Sequence, residues 1–370
     1  MGSLEWVRMK RSGAVAVALV LVVIVVAFNG SLVAAAPRLK ASFVVDEGYA
    51  RYVEERLVSM GTWPGYGFRA AGSPAEIAAA KFMASEMRKL GLSDVRLEGV
   101  PVDAWDFRGA HLTVSQGSTT RTFVAASMGG VRGTPKGGLT GDIVYVGAGT
   151  PDEYPAGGVA GKLLLVDWDA GSFWVNLIGN QATLAGARGL IISTMSTPTY
   201  YGSPDSIGSF DATYDASWVP LITISRNDGF AIMNLLAQGR VRGTMVSDVR
   251  MTMATQGGMG YNAIGVLPGE DHTHPIIIIG HHDAWFYGAS DDTSADAGML
   301  AWAKALVASH YRPAHDLIFV SDTGEEYGYT NAYYEWLIGA WYMITRAHPD
   351  WASRAIGFIN LEGLGGQGLD

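Results

Sequence analysis

Apolar positions fall into three textures along the chain. Ser73, Pro74 and Glu76 form a capping box with proline at the first helical position, and Ile77, Ala80, Phe82, Met83, Met87 and Leu90 follow at helical spacing up to Gly91. This predicts a helix from Pro74 to Leu90 and then a strand from Val95 to Val102. From about Phe107 short apolar runs alternate with glycine: Ile143 to Val146, Leu163 to Val166, Leu190 to Ile192 and Leu221 to Ile224. Helices are expected from Phe173 to Gly186 and from Gly229 to Leu236, so residues 107–250 read as a small domain of β and α elements.

After Asn262 the texture changes again. Pro275–Gly280 (PIIIIG), Leu317–Ser321 (LIFVS) and Ala355–Leu361 (AIGFINL) are apolar without alternation, the mark of strands buried on both faces of a parallel sheet. Helices are predicted between them over Thr293–Tyr311, with Asp292, Thr293 and Ser294 as N-cap candidates, and over Thr330–Ala347. Strand, helix, strand, helix, strand implies an α/β layer architecture whose ligands sit beyond the carboxyl ends of the strands.

Composition narrows the chemistry. The 370 residues suggest two or three domains, and 48% hydrophobic with 16% charged residues excludes a disordered chain. A formal charge of −9 gives nucleic-acid binding no electrostatic footing. Without cysteine there are no disulfides, thiolate metal sites or cysteine nucleophiles, so a metal site must use His and carboxylates. At the N-terminus Arg8, Lys10 and Arg11 precede an apolar run from Ala14 to Phe28, and Ala34, Ala35 and Ala36 follow, the order of an export signal over residues 1–36 cut after Ala35. The competing reading is an uncleaved membrane anchor. Either places the body of the protein outside the cytoplasm, secreted or extracellular.

The three apolar strands end in chemistry. The first runs into His281, His282 and Asp283, with Asp291 after a glycine-bearing loop; the second into Asp322, Thr323, Gly324, Glu325 and Glu326; the third into Glu362. Carboxylates brought to one sheet edge raise each other's pKa unless a cation neutralises them. Mixed His and carboxylate ligation suits zinc, and a bridging carboxylate suits a pair of zinc ions. With one of two adjacent glutamates on metal and the other free as a base, the arrangement points to amide hydrolysis. Taken singly these residues are bland: an HxD or a Glu pair is common in solvated loops. His282, Asp292 and Asp322 are read as loop or capping groups, and Trp336 and Trp341 as packing residues of an aromatic helix.

The stretches GHHDAWFYGASDD, SDTGEEYG and FINLEG resemble the co-catalytic zinc exopeptidase family of bacterial zinc aminopeptidases, glutamate carboxypeptidase II and the transferrin receptor. FRAAGSPAEIAAAKFMASEMRKLGL is similar to that family's opening helix. GDIVYVGAGT, GVAGKLLLVD, GARGLIIS and VPLITISRNDG resemble its inserted protease-associated domain. The resemblance implies a three-layer α/β peptidase domain with a mostly parallel central sheet, formed by residues 37–106 and 251–370, around a β-rich α/β protease-associated domain over 107–250. It implies two zinc ions in the complete protein. His281 would bind one and Asp291 bridge both, with Glu326 on the second and Glu362 on the first. Asp283 would orient His281, and Glu325 would be the general base. Glu362 departs from the family, which usually has Asp there. A further family ligand, a His, is expected beyond Asp370. A peptide substrate is implied, aminopeptidase action is favoured over carboxypeptidase, and a homodimer is a further expectation. The rival readings are a non-catalytic receptor on the same fold and a one-zinc cyclase of N-terminal glutamine.

Overall fold

In the computed structural model residues 43–196, 203–332 and 334–364 are described. The N-terminal signal or anchor expected over residues 1–36 lies outside them. Among the described residues no helix is long and apolar enough to cross a membrane.

Two helices open the structure, α1 (Glu47–Val58) and α2 (Pro74–Leu90), followed by β1 (Ser93–Pro101). The bounds of α2 are those the pattern predicts. The Ser73 hydroxyl accepts the Glu76 amide at 3.2 Å, and Gly91, at a φ of 88° that a glycine adopts without a Cβ clash, ends the helix. The capping box closes only by half. The Glu76 carboxylate takes the Gly72 amide at 3.1 Å and turns inward instead of returning to Ser73. Ala79, Met83 and Met87 form the buried face of the helix.

A seven-stranded sheet follows, built from β2 (Ala104–Gln116), β3 (Thr119–Ala125), β4 (Leu139–Tyr145), β5 (Leu163–Asp167), β6 (Gly189–Ser193), β7 (Leu221–Thr223) and β8 (Arg242–Thr252). Its order is β3-β2-β8-β4-β5-β6-β7, antiparallel up to β4 and parallel from β4 to β7. Helices α3 (Val175–Leu184) and α4 (Arg226–Leu236) accompany the parallel half.

The remaining strands, β9 (Met259–Leu267), β10 (Asp271–His281), β11 (His315–Asp322) and β12 (Gly357–Asn360), join β1 in a second sheet of order β1-β9-β11-β10-β12. Only β11, β10 and β12 run parallel; β9 is antiparallel to both of its neighbours, so this sheet is mixed rather than mostly parallel. Helix α5 (Ser294–Ala308) packs on it with α1 and α2, burying Leu57, Met83, Leu300 and Phe319 together. Helices α6 (Ile338–Tyr342) and α7 (Trp351–Arg354) lie between β11 and β12 in sequence.

Three expectations need correction. The helix predicted over Thr330–Ala347 begins only at Ile338 and widens at Met343–Ala347. Residues 323–332 and 334–337 form loop instead, because the polar groups of Thr330, Asn331 and Glu335 find partners in the first sheet's connections rather than along a helix. Trp336 therefore sits in that loop and is 45% exposed, not packed in a helix. The strand expected to be buried on both faces at Ala355–Leu361 shrinks to the four residues of β12, with Phe358 and Ile359 exposed. Finally, α5 has no side-chain cap. The Asp292 carboxylate and the Thr293 hydroxyl serve other partners.

Aromatic rings join the two sheets beside the strand ends. Trp105 and Phe107 of β2 stack at 5.2 Å, and Trp285, which follows β10, meets Trp105 edge-on at 5.9 Å. Phe68 is fully buried among them, so the segment after His281 is held between the sheets.

Candidate metal centre

His281 is the last residue of β10 and is almost completely buried. Its Nδ1 lies 3.0 Å from the carbonyl oxygen of Asp283, to which a protonated Nδ1 donates. That leaves Nε2 facing the cluster. Around Nε2 stand the carboxylates of Asp291 at 3.3 Å, Glu325 and Glu362 each at 3.6 Å, and Asp292 at 3.9 Å. None of them meets Nε2 in hydrogen-bonding geometry, so among the described residues a buried ring nitrogen has no hydrogen-bond partner. Donor atoms of His281, Asp292 and Glu362 all fall within 4.8 Å of one another. A buried nitrogen without a partner inside a ring of anionic oxygens fits a divalent cation.

Each residue is placed by a definite element. Parallel pairing sets His281 beside Asp322, which delivers the ends of β10 and β11 to the same edge. Asp283 then ties the two together: its Oδ1 and Oδ2 accept the amides of Glu325 and Glu326 at 3.2 and 3.1 Å. Asp283 steadies His281 chiefly through its carbonyl, with its carboxylate 3.5 Å from Nδ1, and spends that carboxylate on the loop carrying the two glutamates. Asp291 is exposed, whereas Asp292 is buried and accepts the amides of His281 at 3.2 Å and Gly363 at 3.0 Å. Glu362, partly exposed, accepts the Asn360 side-chain amide at 3.0 Å. Glu326 does not contact His281; the charge that acts on it most is that of Asp291.

The electrostatics follow from burial. Burial raises Glu325 to about 7, with Asp283, Glu362 and Asp291 adding to the rise and His281 opposing it. Burial likewise raises Asp292 to about 9 and Asp296 to about 6, and holds Glu326 and Asp322 well above the carboxylate range. For His281 burial works against the charged form, yet the carboxylates of Asp283, Asp291, Glu362 and Glu325 outweigh it and lift the ring well above its usual value. Asp291 is lowered by His281. In the metal-free chain protons hold this anionic cluster together, which is the task a cation would take over.

Sequence reasoning missed the layer behind the cluster. His282, Asp292 and Asp322, read as loop or capping groups, are all buried. His282 Nε2 meets Glu76 at 2.9 Å, its Nδ1 meets the Ser321 hydroxyl at 2.8 Å, and Ser321 donates to Asp296 at 2.6 Å. Arg69, fully buried, donates to the carbonyls of His282 at 3.0 Å, Leu57 at 3.0 Å and Tyr287 at 2.9 Å, and to the Thr293 hydroxyl at 2.6 Å. Burial lowers Arg69 to about 10, against the acids Asp283, Asp296 and Glu326. Arg69 and Glu76 lie within the helix-opening motif but carry no local signal of their destination.

Residues 262–370 match the model of Peptidase family M28. The chain is 26% identical to leucine aminopeptidase 2 of Arthroderma otae over 252 residues, which covers 66% of this chain and 46% of that protein. It is 22% identical to carboxypeptidase Q of Mus musculus over 280 residues, 73% of this chain and 58% of that one. The chain thus spans about half the length of these relatives. Among solved structures it resembles a zinc aminopeptidase from Bacillus subtilis with a TM-score of 0.64 at 20% identity, covering 88% of this chain and 70% of that one. The resemblance to the zinc exopeptidases is borne out, and the fold is theirs. The relatives include both aminopeptidases and carboxypeptidases.

Proposed function

We propose that this relative of the M28 metallopeptidases is an exported zinc-dependent exopeptidase that removes residues from the N-terminus of peptides. The observation that carries the reading is the buried, partnerless Nε2 of His281 among four carboxylates. His281, Asp291 and Glu362 would hold one ion, with Asp291 and Glu326 turned to a second; Asp292, engaged by two backbone amides, would brace the site. A bound divalent ion supplies Lewis acidity, polarising a peptide carbonyl and lowering the pKa of water beside it.

The chain's own residues do the rest. Glu325 stands at the rim of the cluster with its carboxyl only slightly exposed. Near 7 in the metal-free chain, it is driven toward the carboxylate form by a neighbouring cation, as a general base requires. It takes the proton of the attacking water at its carboxylate and returns it to the leaving amine. Asp283 fixes the amides of Glu325 and Glu326, so the base and the proposed ligand beside it move as one unit. Preference for the N-terminus is supported by the aminopeptidases among the relatives. Residues 107–250 are proposed as the inserted protease-associated domain, supported by their separate sheet and by the motifs quoted above.

The test is hydrolysis by the full-length polypeptide of an unblocked aminoacyl p-nitroanilide against an N-acylated dipeptide with a free carboxylate. Turnover of the first only, abolished by a chelator and restored by zinc, is expected. Turnover of the second only would make it a carboxypeptidase. Turnover unaffected by chelation would overturn the metal-dependent reading.

A further inference from the structure

The loop that carries Glu325 and Glu326 is fastened on its far side to the other sheet. Within the loop, the Glu325 carbonyl accepts the Leu337 amide at 2.8 Å, the Gly324 carbonyl accepts the Ile338 amide at 2.8 Å, and the Glu335 carbonyl accepts the Gly328 amide at 2.7 Å. Across the gap lies the connection that leads into β7. There the Tyr214 carbonyl accepts from the Thr330 hydroxyl and from the Asn331 amide, and the Asn331 side-chain oxygen accepts the Ala216 amide at 3.1 Å. Glu335 is buried. One carboxyl oxygen accepts the Thr213 amide, while Oε2 has no donor among the described residues. The Asp211 carboxyl is the neighbour that interacts with the Glu335 carboxyl side chain to side chain.

Two carboxyls, that of Glu335 buried and that of Asp211 half-buried, meet here, and such a pair is held by a proton between them. We propose that Glu335 is a positioning residue: its carboxyl shares a proton with Asp211 and so fixes the loop bearing Glu325 and Glu326 to the seven-stranded sheet. Glu335 lies two residues before Leu337, whose amide holds the backbone of the proposed base. Release of Glu335 therefore frees Glu325 from one side while Asp283 still holds it from the other.

Burial, followed by the charge of Asp211, raises Glu335 to about 8, and the Thr213 amide opposes the rise; Asp211 is raised as well, again by burial. Among the described residues the buried Tyr327 phenol also faces Glu335, and it faces Asp103 as well. The pair thus keeps its proton at neutral pH and loses it above about pH 8, where two carboxylates repel and the fastening opens.

This inference takes its meaning from the peptidase reading but is tested without turnover, by amide hydrogen exchange of residues 326–337 in the 370-residue chain, corrected for the intrinsic pH dependence. Glu335→Gln supplies a permanent donor to Asp211 and an acceptor for Thr213; Glu335→Ala supplies neither. The native chain should exchange at least about tenfold faster at pH 9.5 than at pH 7, Glu335→Gln should stay protected at both, and Glu335→Ala should be unprotected at both. Asp211→Asn, which donates from the other side, should behave as Glu335→Gln. With an active preparation, Glu335→Ala should lower kcat with little change in KM, and Glu335→Gln should restore it. The proposal is overturned if Glu335→Gln opens with pH as the native chain does, or if Glu335→Ala is as protected as native. Should the exchange results hold while no turnover is found, the fastening stands and only the peptidase reading falls.

Discussion

Glu325 and Glu326 are neighbours in sequence with adjoining amides, yet they face different charges. Glu325 reaches His281 at 3.6 Å, while Glu326 answers chiefly to Asp291. That division is what an acid–base residue beside a ligand requires, and it yields a prediction at this scale. Glu325→Gln keeps the size and the hydrogen bond from its amide to Asp283 but has no carboxylate to take a proton. In steady-state assays kcat should fall by roughly 10²- to 10⁴-fold, while the variant retains zinc by elemental analysis. Near-native turnover would show that another group is the base. At the companion residue Asp283 the HxD spacing suggests a carboxylate behind an imidazole, and the structure adds the peptide carbonyl as a nearer acceptor.

At the level of elements, the N-terminus of α2 is joined to the end of β10 by Glu76 and His282, both fully buried. Glu76→Ala would leave the His282 ring and the amides of Gly72 and Tyr261 without their acceptor. Removing one partner of such a buried pair should destabilise the fold by about 3–5 kcal/mol, read from urea denaturation; a change below about 1 kcal/mol would mean the pair is not coupled to folding. Helix α2 itself was legible because Ser73, Pro74 and Gly91 are local signals for its two ends. The strands β10 and β11 were legible because the short unbroken apolar runs Ile276–Ile279 and Leu317–Val320 suit strands buried on both faces. The loop over residues 323–332 and 334–337 was not, since its aromatic and polar residues fit a helix until Thr213, Tyr214 and Asp103 from distant segments claim its polar groups. For the same reason the sequence exposed the ligand types in the cluster but not the buried Arg69, Glu76 and Asp296 behind it.

For the molecule as a whole, buried acids dominate the response to pH. Asp296 at about 6, Glu325 at about 7, Glu335 at about 8 and Asp292 at about 9 all lie above the values near 4 of an unfolded chain. The native state then binds more protons than the unfolded one between about pH 4 and pH 9, so stability falls as pH rises through that window. The metal-free chain should show a lower Tm at pH 9 than at pH 6, and saturating zinc should narrow the difference, because the cation replaces protons the cluster has lost. A Tm that rises with pH in the metal-free chain would contradict this. The central claim is that the carboxylates around His281 are gathered there to hold a cation. Its most direct test is calorimetric titration of zinc into the metal-stripped, folded 370-residue chain and into His281→Ala. The account predicts uptake of at least one ion by the native chain, with release of protons, and affinity weaker by about tenfold or more in the variant. A native chain that stays folded but takes up no zinc, or a variant that binds as well as native, would contradict it.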